Sequence, residues 1–157
     1  MLGAGREGGV MWGAFLEVIL GLACVGTAVA LYPVIKRQSE GLALGFVTAR
    51  TLEAAMIFVG ILSVLSVVTL RDAGASGAEG AALVTTGQSL VAVHDWTFLL
   101  GPGIIPGVNA LCLGYILYRS RLVPRILPTI GLVGAPILFA SATATLFGVY
   151  DQVSAGR

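Results

Sequence analysis

The chain has 157 residues, of which 57% are hydrophobic and 11% are charged, and its mean hydropathy is +0.95. A soluble domain carries about 25% charged residues, so these charges are too few to cover a water-soluble protein of this size. Much of the surface is therefore expected to face lipid. The net charge of +1 lacks the basic balance of nucleic-acid-binding proteins, and no nucleic-acid partner is predicted.

Motifs for catalysis or metal binding are missing from the sequence. The two cysteines, Cys24 and Cys112, lie inside apolar runs, where thiols usually pack as small hydrophobic side chains. With no CxxC motif and a single histidine, no metal site and no cofactor are predicted. GxSxG and HExxH motifs are also absent, and the glycines of GPGIIPG lack the Lys-Ser or Lys-Thr of a phosphate loop. This pattern favours a protein that is not an enzyme.

Two long apolar runs occupy the first half of the chain. The first predicted span covers residues 12–35 and the second covers 42–70, and each exceeds the roughly 20 residues needed to cross a bilayer. The second is long enough to tilt or to protrude. One stripe of the first span has the i, i+4, i+7, i+11 spacing of a helix face and consists of Glu17, Gly21, Cys24 and Ala28. We expect this stripe to pack against other helices.

Two further spans are predicted in the second half, at residues 96–118 and 126–149. Residues 71–95 are predicted to form an outer loop, in which 83–93 form a short helix lying in the membrane interface. Pro102 and Pro106 each remove a backbone donor and should bend the first half of the third span.

The third span also carries a strip of small residues with helical spacing, formed by Gly103, Gly107, Ala110 and Gly114. Small side chains let another helix backbone approach closely, so the strip is predicted to be a helix-packing surface. One hypothesis is a homo-oligomeric scaffold built through this strip. Other membrane proteins are alternative partners.

These runs predict an all-α integral membrane bundle of four transmembrane helices, with a short interfacial helix before the third. A single transmembrane domain is expected to comprise residues 1–157. Two short loops on one side hold Lys36, Arg37, Arg119, Arg121 and Arg125. The other side holds Arg6, Arg71 and Arg157. Basic loops stay in the cytoplasm, so both termini of this segment are predicted to lie outside.

The first and third spans end alike, in Leu31-Tyr32 and Leu117-Tyr118, and each is followed by a basic turn and a returning helix. This similarity indicates two helical hairpins in parallel orientation, as in a duplicated unit.

Three polar residues are placed in the middle of the membrane by counting the helical rise: Arg50, Glu53 and Asn109. Arg50 and Glu53 are three residues apart and are therefore neighbours on the helix surface. Ionisable groups at this depth are costly and usually mark a function or a tight pair. One interpretation is a structural ion pair that orients the helix. A second is a polar centre that binds a substrate group or relays a proton, and a third is that the charged side chains snorkel to the membrane interface.

A second polar group is predicted nearer the outer surface and consists of Glu17, His94 and Asp95. In a structural interpretation, Glu17 hydrogen-bonds a neighbouring helix, and Asp95 favours the positive N-terminal end of a helix. The alternative is an acid–base site of a small membrane-embedded enzyme, since histidine titrates in a suitable range. No nucleophile motif accompanies it.

Several stretches resemble the bacterial membrane proteins grouped as domain of unknown function 4386. They are LEVILGLACVGTAVALYPVIKRQSEGLALGFVTARTLEA from Leu16, DWTFLLGPG from Asp95, GVNALCLGYILYRSRLVPR from Gly107 and GLVGAP from Gly131. The resemblance implies a multi-pass protein of the bacterial inner membrane, usually with six spans, and no established activity. Compared with that pattern, a span before Trp12 and another after Tyr150 are expected to be missing, with both termini cytoplasmic in the full-length form. The expected role is a non-enzymatic structural or accessory component, or the handling of a small molecule or ion.

Overall fold

The structure, a computed structural model, describes residues 5–72 and 78–148. Within these ranges it has five helices: α1 (Gly5–Ile35), α2 (Glu40–Asp72), α3 (Ala78–Leu100), α4 (Ile105–Ser120) and α5 (Ile126–Leu146). Among the described residues, four segments are long and apolar enough to cross a membrane, namely Gly8–Ile35, Glu40–Asp72, Gly80–Ser120 and Ile126–Leu146. The predicted all-α bundle with four membrane-spanning segments is therefore confirmed, whereas the predicted end of the fourth span at Val149 lies outside the described residues.

The predicted packing stripe of α1 is the side that the fold buries. Cys24 and Ala28 are each 1% exposed, and Gly21 is also buried against α2. The opposite side of the helix keeps large apolar residues on the surface, including Trp12, Leu22 and Val29. An apolar outer surface with small residues inside is the arrangement expected of a helix that faces lipid, because small residues allow close helix packing.

Two apolar clusters hold the helices together. The first joins α1 to α2 and contains Ala14, Cys24, Ala54, Ile57 and Ile61. The second lies near the α1–α2 turn and joins these two helices to α4. It contains Ile35, Ala43, Phe46 and Ile116.

The stretch Leu83–Val93 is not the separate short interfacial helix that the sequence predicted. It lies within α3, which runs without interruption from Ala78 to Leu100. The helix continues through His94 because no proline interrupts α3, and the first proline after Ala78 is Pro102. The predicted start of the third span at Trp96 consequently falls inside a helix. Of the predicted outer loop 71–95, the described residues 71–72 and 78–95 are helical, and 73–77 lie outside the described residues.

The break in the third membrane segment lies between α3 and α4 and is set by the Gly-Pro-Gly sequence. Pro102 has no N–H and cannot donate to the carbonyl of Phe98, so Gly103 N–H donates to that oxygen instead, at 2.9 Å. A Cβ on Gly103 would collide with the carbonyl oxygen of Leu99, so only glycine fits there. Pro106 lies in the first turn of α4, where a missing donor costs little.

The central helix is α2, which contacts α1, α3 and α4. Its C-terminal half packs on α3, where Gly60 approaches Thr97, and its N-terminal half packs on α4, where Glu53 contacts Asn109. Therefore α3 and α4 run antiparallel to α2 as one helix interrupted in the middle. The last helix, α5, packs on α4.

The two hairpins that the sequence suggested each contain the same kind of contact, between a tyrosine ring and a cation. In the turn after α1, Lys36 Nζ lies 5.3 Å from the centre of the Tyr32 ring. In the turn after α4, the Arg125 guanidinium lies 5.3 Å from the centre of the Tyr118 ring. Each tyrosine thus holds a cation from the basic turn that follows it. The similarity of the two turns extends from sequence to side-chain contacts.

Candidate functional site

A group of three polar side chains, here called the polar centre, lies between α2 and α4 and consists of Arg50, Glu53 and Asn109. Arg50 Nη1 donates to Glu53 Oε2 at 2.9 Å within α2, as their spacing predicted. Asn109 Nδ2 donates to the same oxygen from α4 at 2.8 Å. Glu53 is 5% exposed and Asn109 is 7% exposed. One carboxylate oxygen therefore joins a charge on its own helix to an amide on another.

Cys24 adds a contact from α1 that the sequence did not predict. Its Sγ lies 3.5 Å from Arg50 Nη1 and can accept a weak hydrogen bond. A signal was present in the sequence, because Cys24 and Arg50 are each about ten residues from the α1–α2 turn. Two antiparallel helices bring residues at equal distance from their connection to the same depth. Therefore α1, α2 and α4 all contribute to the environment of the guanidinium.

Two buried polar atoms of the centre have no hydrogen-bond partner among the described residues. They are Arg50 Nε, which can donate, and Asn109 Oδ1, which can accept. A buried polar group without a hydrogen-bond partner costs about 1–3 kcal/mol of stability. A ligand that hydrogen-bonded these two atoms would remove that cost.

The second polar group, here called the outer pair, consists of Glu17 from α1 and His94 from α3. His94 Nδ1 lies 3.1 Å from the carbonyl oxygen of Gly60 on α2, and Nε2 lies 3.8 Å from Glu17 Oε1. If Nδ1 donates to the carbonyl, a neutral ring presents a lone pair to the carboxylate, and only a protonated ring makes an ion pair. Phe98 packs on the imidazole, with ring centres 4.7 Å apart. The outer pair thus joins three helices.

Asp95 does not belong to this contact. It is half-buried, and it makes no hydrogen bond or ion pair with any residue that the structure describes. The structural interpretation placed Asp95 at the N-terminal end of a helix. This was wrong, because α3 runs through Asp95 without a break.

Apolar packing separates the outer pair from the polar centre. Glu17 and Cys24 are seven residues apart on α1, which corresponds to about 10 Å along the helix. Between them, a Cβ at Gly21 would lie 3.1 Å from the ring of Phe58, and Ile57 is fully buried beside it. The two groups are therefore distinct sites.

The small-residue strip of α4 faces α5 within the same chain at two of its positions. A Cβ on Gly107 would lie 2.8 Å from Phe139, and a Cβ on Gly114 would lie 3.2 Å from Leu132. Ala110 is half-buried. Gly103 precedes α4 and belongs to the break described above.

Among residues 5–72 and 78–148, no group of three or more His, Cys, Asp or Glu side chains is placed to hold a metal ion. The polar centre has one carboxylate, and the outer pair has one carboxylate and one imidazole. Their chemistry is hydrogen bonding, charge pairing and proton exchange.

Comparison with known protein families shows which family this chain belongs to. The family described as Domain of unknown function (DUF4386) matches residues 2–156. The chain belongs to the DUF4386 family. No curated protein and no solved structure matches it.

The packing of α3 on α2 in this DUF4386 member can be tested at Gly60. Gly60→Leu should lower the free energy of unfolding by about 1–3 kcal/mol, because the side chain would be forced into a filled space. A Cβ there would lie 2.8 Å from Thr97 Oγ1 and 3.2 Å from His94 Nδ1. The measurement is SDS titration of the protein in mild detergent, followed by tryptophan fluorescence.

Gly26→Leu is the matched control, since a Cβ at Gly26 meets nothing within 4 Å. Equal stability of the two variants would contradict the packing of Gly60 against α3.

Proposed function

We propose that this DUF4386 protein is a non-enzymatic, structural or accessory component of a bacterial inner membrane. In this proposal the polar centre fastens α1, α2 and α4 to one another. The observation that carries it is the sharing of Glu53 Oε2 by Arg50 Nη1 and Asn109 Nδ2. A site that bound a charged substrate would need at least one of these charges to be available.

The energetic argument for a structural role rests on the cost of isolated charges in lipid. A single Arg or Asp at the centre of a spanning helix costs about 2.5–3.5 kcal/mol on insertion scales. Here the two charges neutralise each other 2.9 Å apart, and the amide of Asn109 extends the pair to another helix. Hydrogen bonds between membrane helices contribute about 0.6 kcal/mol on average and up to about 1.7 kcal/mol. The polar centre therefore orients these helices relative to one another, and its contribution to the stability of the bundle is moderate.

The proposed orientation follows from the position of the basic turns. The α1–α2 turn and the α4–α5 turn lie at one end of the bundle, where Ser39 and Arg119 line a common cleft. With this end in the cytoplasm, as the positive-inside rule favours, both termini of the segment lie outside. Of the three cations on the opposite side, the side chains of Arg6 and Arg157 lie outside the described residues. Reporter fusions at the two ends of the chain would measure the orientation.

Labelling of Cys24 distinguishes a structural centre from a water-filled one. Cys24 is 1% exposed and touches Arg50, so a reagent that reaches it must reach the polar centre. In a Cys112→Ser background, we expect a water-soluble thiol reagent to modify Cys24 only after denaturation in SDS. Mass spectrometry of the intact chain measures the modified fraction.

Ser39→Cys, in a background without the two native thiols, is the positive control because it lies in the turn at the basic end. Modification of Cys24 in the native bilayer at a rate similar to that of the control would overturn the structural role.

That outcome would favour the second candidate, the handling of a small molecule or ion at the polar centre. The observation in its favour is the pair of buried atoms without partners, Arg50 Nε and Asn109 Oδ1. A small polar molecule with one acceptor and one donor matches them chemically.

The enzyme alternative requires Glu17, His94 and Asp95 to act together. The approach of His94 Nε2 to Glu17 Oε1 at 3.8 Å favours it. Asp95 does not support it, because its carboxylate makes no hydrogen bond or ion pair with any described residue. The contacts of His94 with Gly60 and Phe98 support helix packing as the role of this ring.

A further inference from the structure

A polar cleft lies at the basic end of the bundle, away from both polar sites. It has a volume of about 380 Å³, within the range of about 300–1,000 Å³ that is usual for small-molecule sites. Its polar lining comes from two elements, the α1–α2 turn and the last turn of α4, and consists of Gln38, Ser39, Arg119 and Ser120. The cleft exists only because the fold brings these two turns together.

The polar side chains of the cleft are largely unused within the chain. Arg119, Gln38 and Ser39 make no side-chain hydrogen bond or ion pair with any described residue. Ser120 Oγ makes one long hydrogen bond, 3.4 Å, to the carbonyl of Leu117. One guanidinium, one amide and the hydroxyl of Ser39 are therefore available as donors to a ligand, and the Ser120 hydroxyl could donate to it only by giving up its long bond to Leu117.

The charge around the cleft is positive. Lys36 and Arg37 directly precede Gln38, and Arg119 lines the cleft itself. Glu40, in the first turn of α2, is the carboxylate nearest to the cleft in sequence. Three cations against one carboxylate favour an anionic ligand.

The remaining lining is apolar or amphipathic and consists of Leu42, Tyr115 and Ile116. Tyr115 is 48% exposed at the end of α4, where a ring with a polar tip suits the boundary between lipid and water. A ligand in this cleft would therefore meet donors on one side and apolar surface on the other.

We propose that this cleft binds a phosphate group, with Arg119 as its principal contact. The planar guanidinium can donate two parallel hydrogen bonds to phosphate oxygens, and the Ser39 hydroxyl and the amide supply further donors. Both an anionic phospholipid headgroup and a soluble phosphate ester offer this chemistry. The proposal does not depend on the role of the polar centre.

The test uses the whole chain in mild detergent and measures bound phosphatidylglycerol by native mass spectrometry, with phosphatidylcholine for comparison. Loss of one cation close to the membrane surface weakens attraction to anionic lipid about fivefold, whether or not that cation lines a cleft. Arg121→Gln, which removes a cation outside the cleft, should show that loss, whereas Arg119→Gln should weaken binding about twentyfold or more.

A pair of neutral variants separates specific contact from general charge. Gln38→Leu removes a donor from the cleft without changing net charge, and it should weaken binding about threefold to tenfold. Gln88→Leu, at an exposed position on α3, should have no effect. Equal losses from Arg119→Gln and Arg121→Gln, together with no loss from Gln38→Leu, would overturn the proposal.

Competition by glycerol 3-phosphate identifies the source of the phosphate. Displacement of phosphatidylglycerol that depends on Arg119 supports a phosphate site open to soluble esters. Retention of the lipid in millimolar glycerol 3-phosphate supports a phosphate site selective for the headgroup of a membrane lipid.

Discussion

Glu53→Leu should lower the free energy of unfolding by about 3–5 kcal/mol, the largest loss expected from any single substitution in this chain. The substitution removes the acceptor of two hydrogen bonds at once, from Arg50 at 2.9 Å and from Asn109 at 2.8 Å. It also leaves the guanidinium in the membrane without its counter-charge. Arginine keeps its charge at any accessible pH, so it cannot become neutral to lower this cost.

Removing the positive charge of the pair should lower the free energy of unfolding by less than removing the negative one. Arg50→Met leaves a carboxylate that still accepts the hydrogen bond from Asn109, whereas Glu53→Leu leaves the guanidinium with only the weak contact to Cys24 among the described residues. Asn109→Leu removes a single interhelical hydrogen bond and should cost about 0.6–1.7 kcal/mol. The expected order of stability loss is therefore Glu53→Leu first, with Arg50→Met and Asn109→Leu both well below it.

The double variant Arg50→Met/Glu53→Leu is the matched control for Glu53→Leu. Replacing both members of a buried ion pair by apolar side chains of similar size is often nearly neutral, so most of the lost stability should return. SDS titration of the parent protein, the single variants Arg50→Met and Glu53→Leu, and the double variant provides the double-mutant cycle. A double variant as unstable as Glu53→Leu would show that the loss arises from packing at position 53 and not from the unpaired charge.

Gly107→Leu should detach α5 from the rest of the bundle. A Cβ at this position would lie 2.8 Å from the ring of Phe139, and the longer side chain would enter the space that the ring fills. Overpacking costs about 1–3 kcal/mol, and here it acts on the contact with α4, the helix on which α5 packs. A cysteine pair at facing positions of α4 and α5 should cross-link in the parent protein and fail to do so in the variant.

Gly134→Leu is the control for this experiment, since a Cβ at that position on α5 meets nothing within 4 Å. Mass measurement of the detergent-solubilised protein adds a second readout. If Gly107→Leu changes the oligomeric state while the α4–α5 cross-link persists, the strip serves a second copy of the chain. An unchanged mass together with a lost cross-link identifies the strip as a contact within one chain.

Local spacing was sufficient to predict several contacts of the candidate sites. The three-residue interval between Arg50 and Glu53 predicted their pairing, because such neighbours share a helix face whatever surrounds them. The stripe of α1 was predicted by the same rule, and its members Cys24 and Ala28 are buried. The proximity of Glu17 and His94 was an interpretation from similar depth, and the structure places them 3.8 Å apart.

Contacts between helices distant in sequence were harder to predict. Similar depth suggested that Asn109 belongs with Glu53, but only the rotation of α4 about its axis brings its amide to the carboxylate. The contact of Cys24 with Arg50 depends in the same way on how α1 packs against α2. Periodicity specifies which side of a helix is polar or small and does not specify which neighbour that side meets.

The sequence by itself determined that this chain is an all-α protein with four membrane-spanning segments, since too few charges and four long apolar runs allow no soluble core. Only the tertiary structure decided that Leu83–Val93 continues into Leu100 as one helix. It also placed the small residues of α4 against α5 and brought two distant turns together around Arg119. The physical reason is that hydropathy is a sum over local residues, whereas helix ends, rotations and clefts depend on packing between helices.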